Sequence, residues 1–433
     1  MVRKCLLTPP LLLLAVIVPL LLLGADAALA EGPGRSGGAV RLLTTIPIPA
    51  NLKPLIAFDI SWLDPDSQLY YLGDRSNASV DVVDARTNAF VKAIEGNFAG
   101  VAFKDNPSNP PGGKVADNDR SGPNGVVVAG HWLFVTDANS RVVSIDLRSD
   151  QVVAGGDVST GGVLRADELA YDPRDGILLV VNNADDPPFA TLIAVDRSTG
   201  RLTPGKTITL NKANGVDATN GAEQPVWDPG TGKFYLSIPE LGGPGGSGPV
   251  GAVVRIDPRS QGAVEKVFLV NNCQPAGLTL GPRQDLLLGC SQTFDTAGQA
   301  WTAGDKNSAV PISVIMDATT GRIDKNVLGV SGSDEVWFNR GDGRYYLAAR
   351  ANPTGPVLGV IDAESQTLVQ LVPTANAAGK PTANPPAPSG TAHSVAVDPH
   401  RNHVFVPLPA NNVFPDCLNG CIAVYGASGR DDD

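Results

Sequence analysis

DELAYDPRDGILLVV (167–181) holds an apolar run, an Asp-Pro pair, a short polar turn and a second apolar run. Two apolar stretches joined by such a turn predict a β-hairpin. The phrase returns as DISWLDPDSQLYYL (59–72), EQPVWDPGTGKFYLS (223–237) and HSVAVDPHRNHVFVP (393–407). Looser copies are NGVVVAGHWLFVTD (124–137), AGLTLGPRQDLLLG (276–289) and DEVWFNRGDGRYYLA (334–348). A second phrase alternates with it: a β-branched run ending in Asp, then Thr or Ser, then another strand. Examples are VDVVDARTNAFV (80–91), IAVDRSTGRL (193–202) and SVIMDATTGRI (313–323). Four strands therefore repeat with a mean period of about 56 residues between Asp64 and Asp398.

Four-stranded sheets repeated radially are the blades of a propeller, and seven copies predict an all-β, seven-bladed β-propeller. The last copy ends at Ile422-Ala423-Val424-Tyr425 without a fourth strand, whereas VRLLTTIPIP (40–49) precedes the first copy without a hairpin partner. The expectation is that this N-terminal strand completes the last blade and closes the ring, removing an exposed edge. An open stack of blades or a β-sandwich is the alternative.

The ends of the chain read differently from its middle. Arg3 and Lys4 precede a nearly pure apolar segment at 11–23, and Ala28-Leu29-Ala30 supplies an A-x-A exit. Residues 1–30 read as a secretory signal, with the short apolar core and small-residue exit arguing against an uncleaved anchor. A linker (31–39), the propeller (40–426) and an acidic tail (427–433) follow, and no later stretch is long enough to span a membrane. The expected location is periplasmic or extracellular. A net charge of −11 argues against nucleic acid or an anionic membrane surface as partner, and a monomer is expected. Loss of Cys5 with the signal leaves Cys273, Cys290, Cys417 and Cys421 in an oxidising compartment. The short CLNGC (417–421) spacing and the hairpin between the other two favour the pairs 273–290 and 417–421. The CxxC knuckles of a four-cysteine zinc site are missing.

Three of the four histidines fall at His393, His400 and His403, but a strand separates the first from the other two by roughly 16 Å at 3.3 Å per residue. They are not expected to share a metal. His393 has other company. The residues five positions before each Asp of the Asp-Pro phrase, or its equivalent, are Asp59, Asn124, Asp167, Glu223, Ala276, Asp334 and His393. Beside them stand Glu168, Gln224, Gly277, Glu335 and Ser394. All are expected at one mouth of the central channel, where crowded carboxylates repel one another and a divalent cation, calcium first, would relieve them. Asp59, Asn124, Asp167, Glu223 and Asp334 are the candidate cation ligands. Glu168, Glu335, His393 and Trp301 are the candidate ligand-binding residues. The alternative is that these groups bond loop amides or face a wet channel. Long irregular loops fall on the same side, including 97–122, 238–251 and 291–311, and Trp301, Phe189 and Phe294 are candidate apolar contacts there. DNDRSG (117–122) matches only the first half of a calcium loop.

The repeat rhythm from Val40 to Tyr425 resembles the YVTN/YncE-like family of exported bacterial β-propellers, with Phe134-Val135-Thr136-Asp137 the nearest copy of that family's phrase. The family describes a fold more than an activity. SGPNGVVVAGHWLFVTDANSRVVSIDL (121–147) is similar to the Pro-Asn-Gly unit of the gluconolactonase (senescence-marker) superfamily. That resemblance implies a catalytic divalent metal on Asn124 and Asp167, with Asp59 in the place of the family's first-blade Glu. Two functions are expected from these readings. One is a propeller binding a small molecule, glycan or protein partner at the top face; the alternative is a metal-dependent lactonase-like hydrolase. A lyase on this fold would need His393 paired with Glu335 or Asp59.

Overall fold

The computed structural model describes residues 38–106, 113–260, 262–301, 311–374 and 393–427. The predicted signal at 1–30 and the tail from 428 onward lie outside them.

The Asp that punctuates both repeating phrases caps a turn. Oδ1 of Asp172 accepts the backbone N–H of Arg174 at 2.8 Å, and Asp228 does the same for Gly230 at 2.8 Å. Asp84 in the second phrase accepts from Arg86 at 2.8 Å. A carboxylate bonded to the backbone two residues on fixes the chain reversal, so each Asp ends one strand and begins the hairpin. The strands on either side are buried nearly throughout, as in Ile177–Asn182 and Trp132–Asp137.

Most hairpin pairs assemble into four-stranded antiparallel sheets. In the first, Ser61–Asp64 is innermost, followed by Leu69–Asp74, Ser79–Asp84 and the outer Ala89–Glu95. The inner strands neighbour one another in chain order, and the last, Ala396–Asp398, also lies beside the first. Adjacent sheets share apolar cores. Val80 and Val82 pack with Leu133 and Val135, Leu179 with Phe234 and Leu236, and Phe405 and Val424 with Tyr70 and Leu72. Sheets covered on both faces require strands apolar on both sides, which explains the near-continuous apolar runs.

The sheet pairings correct the expected seven-bladed propeller closed by its N-terminal strand. No sheet is closed. Val40–Pro47 pairs only with Cys421–Ala427, as the outer edge of one four-stranded sheet. Two of the expected blades are also not separate: the bridge between Val250 and Cys273 joins them into an eight-stranded sheet. The arrangement is propeller-like, and neighbouring sheets share side-chain cores.

Both expected disulfides are present. Cys273–Cys290 staples one hairpin with Cα atoms 5.2 Å apart, and Cys417–Cys421 closes the turn leading into Cys421–Ala427 at 4.9 Å. All four cysteines are fully buried. Among the described residues, no helix is long and apolar enough to cross a membrane.

Removing Val40–Pro47 would bare the edge of Cys421–Ala427 and uncover part of the last core. The truncated chain is expected to aggregate or melt at least ~10 °C lower, since unpaired edges template association. Circular dichroism and light scattering test this; an unchanged melting curve would show that the strand is dispensable.

Candidate functional site

The residues that begin the inner strands are brought together by backbone hydrogen bonds between neighbouring units. Ile60 N donates to Asn124 O at 3.3 Å, Gly125 N to Asp167 O at 3.1 Å, Gln224 N to Ala276 O at 3.3 Å, and Glu335 N to His393 O at 3.2 Å. Such approach leaves little room. A Cβ on Gly125 would stand 2.5 Å from the Asp167 carbonyl, and one on Gly73 would stand 2.6 Å from that of Asn124.

At the mouth these starting residues meet three arginines. Arg75, almost wholly buried, donates to the Asp59 carboxylate and places Nε and Nη2 at 2.9 and 2.7 Å from Asn124 Oδ1. The Asn124 amide donates to Ala166 O at 2.7 Å. Arg165 pairs with Asp167 at 2.9 Å and reaches Asp59 at 3.5 Å, and Arg350 pairs with Asp334 at 2.7 Å. His393 Nε2 lies 3.2 Å from Asp59 Oδ1, its ring stacked on Phe58 at 5.0 Å between centroids. Asp59, Arg75, Arg165, Asp334, Arg350 and His393 line a polar cavity of ≈ 250 Å³, walled on one side by Ala116 and Asn118. That wall belongs to the 97–122 insertion, which forms the hairpin Phe103–Asp105 with Lys114–Ala116 and the short turn Asn118–Arg120. Asp117 pairs there with Lys104 at 3.2 Å.

One residue deeper lies a tier of acids. Glu168 and Glu335 are both buried, and each acts on the other's ionisation. Gln224 donates to Glu335 at 3.0 Å and accepts from Leu278 N at 2.6 Å, reaching over Gly277, which offers no side chain at that level. Burial, then mutual repulsion, pushes Glu168 well above the ordinary carboxyl range, and burial does the same to Glu335. Glu223 is raised by burial and by Asp167 and Asp334. Asp167 is pushed up to about 7 by burial against the pull of Arg165. Asp59 goes the other way: burial opposes its ionisation, but Arg75, His393 and Arg165 together outweigh burial and hold it charged.

Of the residues singled out in the sequence, Asp59, Asn124, Asp167, Glu168, Glu335 and His393 gather at one end of the inner strands. Asp167 and Asp334 both act on Glu223 there. Trp301 is elsewhere, tied by its backbone N–H to Thr293 O at 2.8 Å and absent from the cavity wall. His400 bonds the Pro65 carbonyl at 3.1 Å, away from His393. Sequence reasoning missed the arginines. A signal existed: Arg75 and Arg350 each stand sixteen residues after the Asp they pair with, at the first position beyond the second strand. As a cation site the donor set fits poorly. The Asp59 carboxylate and the Asn124 carbonyl oxygen are both held by Arg75, while Asp167 and Asp334 carry their own guanidiniums. Among the described residues no group of three or more His, Cys, Asp or Glu side chains is arranged to hold a metal.

Arg75→Met should strand a buried charge at Asp59 and cost about 3–5 kcal/mol in urea denaturation, with Asp59→Asn added to it recovering part of the loss. A loss under ~1 kcal/mol would mean that the pair contributes little to the fold. Asp167 gives a pH prediction. Folding retains its proton where the unfolded chain has released it, so its contribution is complete below its ordinary value of 3.8 and drains away as pH rises towards about 7. Asp167→Asn should flatten that decline; an unchanged pH slope of stability would refute the assignment.

No protein-family model matches the chain, and no curated protein matches it. Among solved structures it is similar to Kuenenia stuttgartiensis hydrazine synthase, with a TM-score of 0.60 and 14% identity over 89% of this chain and 98% of that one. At that identity the likeness is one of fold alone.

Proposed function

We propose that the chain is an exported binding protein whose mouth takes a small polar anion, a carboxylate being the class that fits best. The observation that carries this is the convergence of Arg75, Arg165, Arg350 and His393 on one ≈ 250 Å³ cavity whose wall carboxylates are Asp59 and Asp334. Guanidinium forks recognise carboxylates bidentately. Arg350 is half-exposed, with donors to spare beyond its contact to Asp334. The cavity's size suits a ligand of a few heavy atoms, because a water takes up about 30 Å³. Export is supported by the signal-like residues 1–30 and by two buried disulfides, which persist in oxidising compartments. The YVTN/YncE-like resemblance agrees with an exported propeller-like protein and fixes no activity. The gluconolactonase resemblance would ask a metal to take Asp59, Asn124 and Asp167 from Arg75 and Arg165.

A second reading has one observation in its favour. Asp59 against His393 Nε2 leaves Nδ1 as the other ring nitrogen, and Phe58 fixes the ring plane. That arrangement orients an imidazole as a general base for ester hydrolysis or proton abstraction.

Thermal-shift titration of the mature chain with acetate, lactate, malonate and glucuronate, each beside a neutral analogue, tests the first reading. At a hundredfold excess over the dissociation constant, linkage gives roughly 2.7 kcal/mol and a rise of a few degrees. Arg350→Ala should abolish the response, while calcium and EDTA should leave the melting temperature alone. Indifference to every carboxylate, or a calcium-dependent rise, would sink it. Turnover of an ester panel, lost in His393→Ala but kept in Arg350→Ala, would favour the second.

A further inference from the structure

The opposite ends of the inner strands enclose a different space. A cavity of ≈ 630 Å³ lies among the C-terminal ends of the first four inner strands, against ≈ 250 Å³ at the mouth. Further along the same segments than Glu168 and Gln224, the fourth and fifth residues supply Trp62, Val127, Tyr171, Val226 and Trp227, all of which line this cavity. Trp62 also meets Trp337 edge to face at 5.0 Å, below the level of Glu168 and Glu335. The hairpin turns at this end are short Asx turns. Trp62 Nε1, Trp227 Nε1 and His131 Nε2, all on lining residues, find no hydrogen-bond partner among the described residues. Its size and apolar wall are those of small-molecule sites, which run about 300–1,000 Å³.

Charge at the rim decides the ligand class. Asp64 and Asp66 both line the cavity; Asp64 accepts from Ser67, and the exposed Asp66 carboxylate has no ion pair among the described residues. Among the described residues one guanidinium lines it, that of Arg197, which donates to the Pro173 carbonyl at 2.9 Å. Aromatic faces attract cations as carboxylates do. We propose that this cavity binds an amphiphilic organic amine, its apolar body against Trp62, Tyr171 and Trp227 and its ammonium group at the Asp64–Asp66 rim. The site is independent of the anion-binding mouth.

Three of the five tryptophans, Trp62, Trp132 and Trp227, line the cavity, so intrinsic fluorescence reads its occupancy. The mature chain would be titrated with 4-phenylbutylamine, 4-phenyl-1-butanol and 4-phenylbutyrate. The amine is expected to give a saturable change at the lowest concentration. Asp66→Asn, a surface substitution, should weaken it about three- to five-fold while leaving the alcohol unchanged, and Arg350→Ala at the mouth should alter neither. Equal affinity for all three compounds, no saturable change, or sensitivity to Arg350→Ala in place of Asp66→Asn would each overturn the proposal.

Discussion

Everything at the two ends of this molecule depends on the backbone hydrogen bonds that tie the start of one inner strand to the start of the next. Ile60 to Asn124, Gly125 to Asp167, Gln224 to Ala276 and Glu335 to His393 are the same bond made in different units. Each holds two strand starts at backbone contact, and glycine at 73 and 125 permits the approach. With the strand starts held, equivalent positions fall at equivalent levels: Asp59 and Asp167 at the outer one, Glu168 and Glu335 one residue deeper, and Trp62 and Trp227 further along the strands.

Gathering that many carboxylates raises an electrostatic problem, and the chain solves it in two ways. At the outer level it brings in arginine: Arg75, Arg165 and Arg350 pair with Asp59, Asp167 and Asp334. At the inner level burial favours the protonated form of Glu168 and Glu335, whose ionisation it opposes.

The sheets themselves show why hydrogen bonding and packing divide the labour. Each four-stranded sheet ends in an outer strand such as Ala89–Glu95, where exposed and half-buried residues alternate. Beyond the strand starts, union between sheets falls to side chains: Tyr71 against Leu133, Phe134 against Leu178, Tyr346 against Val404. Dispersion and burial are indifferent to strand register, so repeats of unequal loop length can pack side by side without a continuous ladder.

Much of this was written locally. Asp-Pro turns, β-branched runs and their alternation identified the hairpins, because a turn and its two strands are close in sequence and obey short-range rules. The disulfide partners were legible for the same reason, each pair lying within one hairpin or one turn. The co-location of Asp59, Asp167, Glu335 and His393 could also be read, since repetition carries equivalent positions to equivalent places. Three things were decided only in three dimensions. The N-terminal strand does end beside Cys421–Ala427, yet no sheet closes, and the bridge at Val250 and Cys273 merges two units that the repeat kept apart. The countercharge at the mouth is arginine, arriving from the far ends of second strands and from a loop. Trp301, in the same kind of loop as the expected ligand contacts, turns back onto its own strand. Sequence determined the units, because their stabilising contacts are local; tertiary structure decided the charge partners and the joins, because those contacts link residues from different units whose meeting no local rule encodes.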